Sequence, residues 1–268
     1  MEILAPVNTS TLEAALEAGA DAVYFGLKRL NARRGAKNFT QGNLADAVKR
    51  IHQAGAKAHL TVNINLTTRA TGLAARTLQL AAEAGVDAVI VRDPAILALK
   101  KYFPSLEFHL STQAGVSSSA GVRFASSIGC SRAVLAREMT ADEIKAACQV
   151  PDIDIEVFIQ GAMCFCASGH CLLSSWVGGR SGNRGACASP CRVAWRSTVP
   201  DAVEAHPMSM HDLCLLSQLR ELEAAGAASL KIEGRLKAPG WVRRAVTLYR
   251  HAAEKNADID AIRKEAAE

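Results

Sequence analysis

One repeated phrase organises the hydrophobic and polar positions of the chain. A helical run ends in Ala-Gly, a small or acidic residue follows, and a short apolar run comes next. Clear copies occupy residues 15–26, 81–91 and 223–232, and looser copies occupy 53–57 and 127–131. The glycine lets a helix end in the left-handed conformation, and the apolar run is typical of a parallel strand buried on both faces. The phrase therefore predicts a repeated helix–strand unit.

The pattern predicts eight strands, with helical patterns between most of them. The predicted strands are 3–7, 22–26, 57–63, 88–93, 107–113, 132–138, 153–161 and 229–235. Eight βα units in about 250 residues favour an α/β fold of the TIM-like (β/α)8 barrel type, which we predict for residues 1–250 as one domain. An open doubly wound sheet is the alternative, but no Gly-rich dinucleotide turn is present. Residues 251–268 are polar and charged, and they predict an outer helix or a tail.

The longest predicted connection is residues 161–208, called here the cysteine segment. It follows the seventh predicted strand and shows no clear helical periodicity, so we predict a long loop. In a barrel of this type, chemistry belongs at the carboxyl ends of the strands and in the loops after them. A loop of this length inside a compact domain is commonly functional. The segment holds five of the eight cysteines, which are Cys164, Cys166, Cys171, Cys187 and Cys191.

The clustered cysteines indicate a metal. Four thiolates at one point in a low-dielectric interior would repel each other strongly unless a cation neutralised them. Structural zinc prefers tight Cys-x2-Cys pairs, which the chain does not contain. The irregular spacing Cys164-x6-Cys171-x15-Cys187-x3-Cys191 favours an iron–sulfur cluster held by four thiolates. On spacing alone, zinc stays open as the alternative.

Charge along the chain adds to this picture. The 31 Lys and Arg residues exceed the 26 Asp and Glu residues, a mildly basic balance that keeps a nucleic-acid partner open. Between Val157 and Pro200 there is no acidic residue, while four arginines occur: Arg180, Arg184, Arg192 and Arg196. Such arginines offset an anionic cluster or receive a phosphate or carboxylate substrate, and Arg184 and Arg192 are our candidate substrate contacts. A solvated basic loop is the alternative interpretation.

Composition excludes several classes of protein. An apolar fraction of 49% indicates a folded chain rather than a disordered one. No stretch approaches the roughly 18 apolar residues of a membrane span, and residues 1–6 lack the basic head of a signal peptide. We therefore expect a cytoplasmic protein without membrane insertion. Without a signal peptide, the eight cysteines are expected to be in a reducing compartment, which argues against a disulfide framework.

The fifth predicted strand carries alternating polar residues at its end. His109, Ser111 and Gln113 share one face because side chains alternate along a strand. His109 and Gln113 are candidate catalytic residues, which would move protons or bind a carboxylate. A polar ladder inside the barrel is the alternative.

Further candidates lie at the ends of other strands. Lys231 and Glu233 are candidate catalytic residues on one face of the last strand, and Arg235 on that face is a candidate substrate contact. Lys231 could act as a Schiff-base lysine, but the neighbouring acid and base favour an ion-pair ladder. Asn63 and Arg92, at the ends of the third and fourth strands, are candidate substrate contacts.

Four blocks of the sequence, in order, resemble the peptidase U32 (collagenase-like protease) family. They are LAP at 4–6 with ADAVYFG at 20–26, EVFIQGAMC at 156–164 with GHCLLS at 169–174, GNRGACASPCR at 182–192, and SLKIEGRLK at 229–237. The family name implies proteolysis, and a collagenase-like peptidase is one alternative. Better understood members are iron–sulfur proteins that support oxygen-independent hydroxylation of a tRNA or 23S rRNA base or of a ubiquinone precursor. The RNA-hydroxylating members are associated with prephenate.

The resemblance also implies cofactor, ligands and partners. Carried over residue by residue, a 4Fe-4S cluster would be held by Cys164, Cys171, Cys187 and Cys191. The short stretch before Met208 favours Cys191 over Cys214 as the fourth ligand, and Cys166 is left as a spare thiol. RNA hydroxylation, with prephenate as co-substrate, is the leading hypothesis. A ubiquinone-precursor hydroxylation subunit that acts with a second family member is a further alternative, and so is a non-catalytic partner whose metal only organises the segment. Many relatives carry an additional C-terminal domain, and this chain is expected to lack it.

Overall fold

Eight parallel strands close into a barrel. The computed structural model of the protein describes residues 1–196, 198, 205–254 and 257–267. Strands β1 to β7 each pair with the next strand in sequence, and β9 pairs with both β7 and β1, which closes the ring. The eight strands are β1 (Glu2–Pro6), β2 (Ala22–Gly26), β3 (Lys57–Val62), β4 (Ala88–Val91), β5 (Glu107–Leu110), β6 (Arg132–Val134), β7 (Asp154–Ala162) and β9 (Ser229–Ile232). The predicted TIM-like barrel is confirmed, and its eight strands overlap the eight predicted ones.

A ninth strand, β8 (Asp212–Cys214), has no counterpart in the prediction. It runs antiparallel to the end of β7 and pairs with residues 160–162. Three residues are too few to display the two-residue alternation by which a strand is recognised in a sequence. By pairing with β7, strand β8 returns the chain to the carboxyl end of the strand after which the cysteine segment begins.

Ten helices are described, and most of them surround the barrel. They are α1 (Leu12–Glu17), α2 (Leu44–Gln53), α3 (Thr71–Glu83), α4 (Pro94–Leu97), α5 (Ser119–Ser127), α6 (Ala141–Cys148), α7 (Leu173–Gly178), α8 (Leu219–Ala225), α9 (Pro239–Ala252) and α10 (Ile259–Ala267). Helix α9 shows the packing rule, because its buried residues Val242, Val246 and Tyr249 recur at helical spacing. The Tyr249 hydroxyl also donates to the Ile159 carbonyl at 2.9 Å, which ties this helix to β7.

The interior of the barrel is more polar than the layer between the strands and the helices. Its apolar part is a small cluster of Leu4, Ala22, Tyr24 and Ile90. Charged residues fill much of the remaining space in pairs, as burial of a charge requires. At the amino end of the strands the Arg132 guanidinium contacts Glu2, Asp154 and Glu156. The carboxyl end holds the groups described below.

The cysteine segment differs from the predicted loop. Strand β7 continues to Ala162, and the six-residue helix α7 lies inside the segment. A helix of this length is shorter than the roughly 11-residue window over which helical periodicity can be read.

Two glycines seat this segment on the barrel. Gly169 (φ 77°) lies against the Gln113 carbonyl and Gly185 (φ 77°) against the Asn31 carbonyl, and a Cβ at either position would overlap that oxygen. Both also adopt a left-handed conformation that favours glycine.

Substitution of Gly169 tests this seating. Gly169→Ala is expected to lower the free energy of unfolding by more than Gly179→Ala, its matched control. Gly179 also has a positive φ (61°), but a Cβ there meets open space. The free energy of unfolding of the control is expected to fall by about 1–2 kcal/mol, the cost of placing an alanine in the left-handed conformation. Gly169→Ala is expected to lose about 1–3 kcal/mol more, because the Gln113 carbonyl must move. Urea unfolding measures both, and equal losses would contradict the close approach.

Candidate functional site

A cavity lined by charged side chains and cysteines lies at the carboxyl end of the barrel, where this fold places its chemistry. Side chains nearly fill its inner part, which leaves about 20 Å³ between Tyr24, Lys231, Glu233, Arg235 and their neighbours. An outer part of about 280 Å³ opens beside the cysteine segment. Both parts share the side chains of Ala32, Arg33, Arg137 and Glu233. These shared residues therefore form the boundary between the barrel interior and the cysteine segment.

Glu233 is the only carboxylate that lines either part of this cavity in the described chain. Its Oε1 lies 3.2 Å from Arg33 Nε, and its Oε2 lies 3.3 Å from Arg137 Nη2. Burial would raise the pKa of the Glu233 carboxyl, but the charges of Arg33, Arg137 and Arg235 outweigh it and lower the pKa to about 2. Glu233 is therefore ionised throughout the neutral range.

Positive charge exceeds negative charge around Glu233. Arg235 is buried and donates to Thr61 Oγ1 at 3.0 Å and to Asn31 Oδ1 at 3.4 Å, which are both neutral acceptors. The Nε atoms of Arg137 and Arg235 are buried and have no hydrogen-bond partner among the described residues. Three guanidinium groups thus share one carboxylate. Because unpaired buried charge is costly, this arrangement favours the binding of an anion in the cavity.

Lys231, Glu233 and Arg235 do not pair with one another in the expected ion-pair ladder. Lys231 Nζ donates to Glu156 Oε1 on β7 at 2.6 Å and lies 4.2 Å from the centre of the Tyr24 ring. Glu233 pairs with arginines from two loops, as described above. Burial lowers the pKa of the Lys231 ammonium, while Glu156 opposes this shift. The three alternating residues thus find partners on other parts of the chain, and their catalytic and substrate roles stay predictions.

The polar end of β5 lies partly inside the cavity. Gln113 and Ser111 line its inner part, whereas His109 is buried in the barrel interior and does not line it. His109 Nε2 lies 3.2 Å from Glu107 Oε2, and its ring meets the His59 ring edge to face at 4.9 Å. The predicted catalytic roles of His109 and Gln113 stay predictions.

Asn63 and Arg92 occupy different surroundings. Asn63 lines the inner cavity, accepts from the Ala32 amide at 3.0 Å and donates to Ser111 Oγ at 3.3 Å. Arg92 Nη2 donates to the Gly169 carbonyl at 2.7 Å. In this structure Arg92 therefore holds the cysteine segment against the barrel, and its substrate role stays a prediction.

Three of the four predicted ligands border one cavity. Cys164, Cys187 and Cys191 line its outer part, while Cys171 does not line it. Cys171 lies near Cys166, and after burial its thiol is the next cause that raises the pKa of the Cys166 thiol. Among the described residues, no group of three or more His, Cys, Asp or Glu side chains is arranged to hold a metal ion. The assignment of the four ligands stays a prediction.

The chemistry of these donors nevertheless fits a cationic group. Burial raises the pKa of the Cys191 thiol, and the nearby Cys164 and Cys187 thiols raise it further. A metal would relieve this mutual repulsion of thiolates. The Ser189 amide also donates to Cys187 Sγ at 3.3 Å, a type of hydrogen bond that tunes cluster sulfurs.

The two candidate arginines of the segment differ in surroundings. Arg192 donates to the Met163 carbonyl at 2.5 Å and to Ser209 Oγ at 3.0 Å, so it links the two ends of the cysteine segment. Arg184 is exposed and forms no ion pair in the described part of the chain. Arg184 thus keeps its charge available to a ligand from solution.

Arg33 and Arg137 are site residues that sequence reasoning missed. Arg137 stands at the end of the sixth predicted strand, and this position was a usable signal. Arg33 lies in the connection after β2, where no hydrophobic pattern marks it.

The fold and this site define a class: a TIM-like barrel whose carboxyl-end cavity is built from arginines and cysteines. The chain belongs to peptidase family U32, whose family model matches residues 7–267. It is 37% identical over 261 residues to tRNA hydroxylation protein P1 of Bacillus subtilis, covering 93% of this chain and 62% of that protein. It is 38% identical over 258 residues to the 23S rRNA 5-hydroxycytidine C2501 synthase of Escherichia coli, covering 93% and 39%.

A solved structure agrees with the fold. The U32 peptidase Mk0906 matches with a TM-score of 0.59 at 13% identity, covering 87% of this chain and 93% of that one. At this identity the likeness shows the barrel alone. The chain spans less than two thirds of the length of the two curated relatives named above. Within the described residues, no helix combines the length and apolarity needed to cross a membrane.

Replacement of the central carboxylate tests the charge balance. Glu233→Gln is expected to lower the free energy of unfolding by about 3–5 kcal/mol at neutral pH, because it leaves the partly buried Arg33 and Arg137 without their counter-charge. The folded pKa of about 2 lies below the ordinary 4.5. The stabilisation is therefore fully present above pH 4.5 and is lost as the pH falls toward 2.

Urea unfolding between pH 7 and pH 2 measures this difference. The difference in the free energy of unfolding between the wild type and Glu233→Gln is expected to become smaller as the pH falls. The control is Glu223→Gln, which removes an exposed carboxylate paired with Arg220 and is expected to cost less than about 1 kcal/mol. A gap that does not change with pH would contradict the low pKa of Glu233.

Proposed function

We propose that this chain is an iron–sulfur protein that supports oxygen-independent hydroxylation of an RNA base. The observation that carries the proposal is the shared cavity, in which arginines at the barrel mouth and three cysteines of the segment line one space. The names of the curated relatives, a tRNA hydroxylation protein and an rRNA hydroxycytidine synthase, support RNA as the substrate class.

In this proposal Cys164, Cys171, Cys187 and Cys191 hold a 4Fe-4S cluster. The bordering thiols, the amide on Cys187 Sγ and the absence of acidic residues between 157 and 200 in the sequence support it. A bound cluster would supply one-electron transfer next to the cavity. Cys166 is left outside the set as a spare thiol.

The arginines would bind a carboxylate co-substrate such as prephenate. The buried Arg235 and the partly buried Arg33 and Arg137 carry the excess of positive charge that such an anion would neutralise. Glu233 orients Arg33 and Arg137 through its two oxygens. Lys231 lines the inner part of the cavity, where its Nζ donates to Glu156 Oε1. Asn63 and Gln113 would add hydrogen bonds at the cavity wall.

Metal analysis tests the cofactor. After anaerobic purification, the wild type is expected to carry about four irons and four sulfides per chain, as a 4Fe-4S cluster requires. Cys187→Ser and Cys191→Ser are expected to lose most of this iron, because each removes a ligand. Cys214→Ser is the matched control and is expected to keep it. Zinc in place of iron, or iron that Cys191→Ser leaves unchanged, would contradict the assignment.

Mass spectrometry of cellular RNA tests the reaction. Nucleosides from the tRNA and rRNA of a deletion strain are expected to lack one hydroxylated base that the wild type contains. The wild-type gene is expected to restore it, and the Cys187→Ser gene is not. Unchanged RNA together with a fall in ubiquinone would point to the quinone branch. Unchanged RNA with gelatin digestion by the pure protein would point to a peptidase.

A further inference from the structure

An unpartnered aromatic side chain stands on the cysteine segment. Trp176 on α7 is 78% exposed, more than any other large apolar residue in the described part of the chain. Phe165, Leu172 and Val177 of the same segment are also exposed. Leu172 and Trp176 are four residues apart, so they neighbour each other on one face of the helix. Monomeric proteins rarely leave neighbouring large apolar side chains in water without a ligand or partner to cover them. The function assigned to the cysteines does not account for this patch.

The helix that carries Trp176 is anchored to the cysteine-bearing chain. Ser174 is buried, and its Oγ accepts from the Ala188 amide at 2.8 Å, next to Cys187. The end of the helix is closed by the Arg180 amide, which donates to the Ser174 carbonyl at 3.2 Å. The helix that carries the indole is therefore fixed to the chain next to Cys187, a predicted cluster ligand. A fixed aromatic surface loses little entropy when a ligand stacks on it.

The charges that follow Trp176 along the chain indicate the kind of ligand. Arg180 and Arg184 are exposed, and neither forms an ion pair with any described residue. The stretch from 157 to 200 contains no acidic residue that would repel a polyanion. Aromatic rings with flanking arginines and no acids are the surface by which proteins bind single-stranded nucleic acid. A protein partner could also cover the exposed apolar side chains, but its binding would not require exposed arginines without any acidic residue between 157 and 200.

We propose that Trp176 is a stacking platform for an unpaired RNA base and that Arg180 and Arg184 contact the phosphates beside it. This inference rests on the proposed function and adds to it the surface that positions the strand. An enzyme that modifies a base must act on a base outside a stacked duplex. Stacking on Trp176 would hold an unpaired segment of RNA at α7, the helix that is hydrogen-bonded to the residue after Cys187.

RNA binding by the full chain tests the platform. The anaerobically purified protein is titrated into a fluorescein-labelled single-stranded RNA of mixed sequence, about 16 nucleotides long, and anisotropy reports the Kd. Trp176→Ala is expected to weaken binding by about 5- to 150-fold, the range for loss of one base stack. Trp176→Phe is expected to retain most of the affinity because it keeps an aromatic face. The matched control Phe124→Ala removes an aromatic that is 62% exposed on α5 and is expected to change nothing.

Salt dependence separates stacking from phosphate contact. Arg180→Gln and Arg184→Gln are each expected to reduce the slope of log K against log salt by about 0.7, as for one single-strand phosphate contact. Trp176→Ala is expected to lower affinity at every salt concentration with an unchanged slope. Its iron content is expected to equal that of the wild type, because the indole is not a ligand.

The outcomes distinguish this inference from the function on which it rests. Wild-type binding that Trp176→Ala leaves unchanged would overturn the platform alone. Absence of RNA binding by the wild type would also overturn the platform, whereas the proposed function fails only if the RNA of the deletion strain keeps all its hydroxylated bases. If Trp176→Ala alters the sedimentation of the protein but not its RNA affinity, the patch is a protein contact and the inference is wrong.

Discussion

The balance of buried charge around Glu233 is the constraint on which the carboxyl end of the barrel depends. One carboxylate holds Arg33 and Arg137, and Arg235 lies beside them with neutral acceptors only. A guanidinium cannot shed its charge inside a protein, so these groups must be paired, hydrogen-bonded or bound to an anion. The excess of positive charge therefore makes the stability of the folded state depend on Glu233, and it also favours the binding of a carboxylate in the cavity.

The cysteine segment joins this cavity through backbone contacts rather than through an apolar core. Arg92 holds the Gly169 carbonyl, and Gly185 lies against Asn31. Arg192 fastens the two ends of the segment to each other. These contacts place three thiols on the wall of the arginine cavity while α7 turns Trp176 toward solvent. In the proposed function, a redox centre and an anion site would border one cavity, and the aromatic surface would lie on the same cysteine segment.

Much of this arrangement could be predicted from the sequence, and particular residues show which parts could not. The eight barrel strands follow from a repeated pattern, because each repeat satisfies the same local packing rule. Strand β8 and helix α7 were missed because both are shorter than the stretch of sequence over which a strand or helix period can be recognised. Arg137 stood at a strand end and was open to recognition, whereas Arg33 lies in an irregular connection with no such mark.

By itself, the sequence determined the repeat that closes the barrel, the family blocks and the acid-free run of arginines and cysteines. These are local properties, legible within a few tens of residues. Only the tertiary structure decided which charges meet: Glu233 pairs with Arg33, 200 residues away along the chain, instead of with its strand neighbours Lys231 and Arg235. The reason is geometric. Closure of a barrel brings the first and last strands side by side, and partners are then chosen by distance across the interior, which no local pattern encodes.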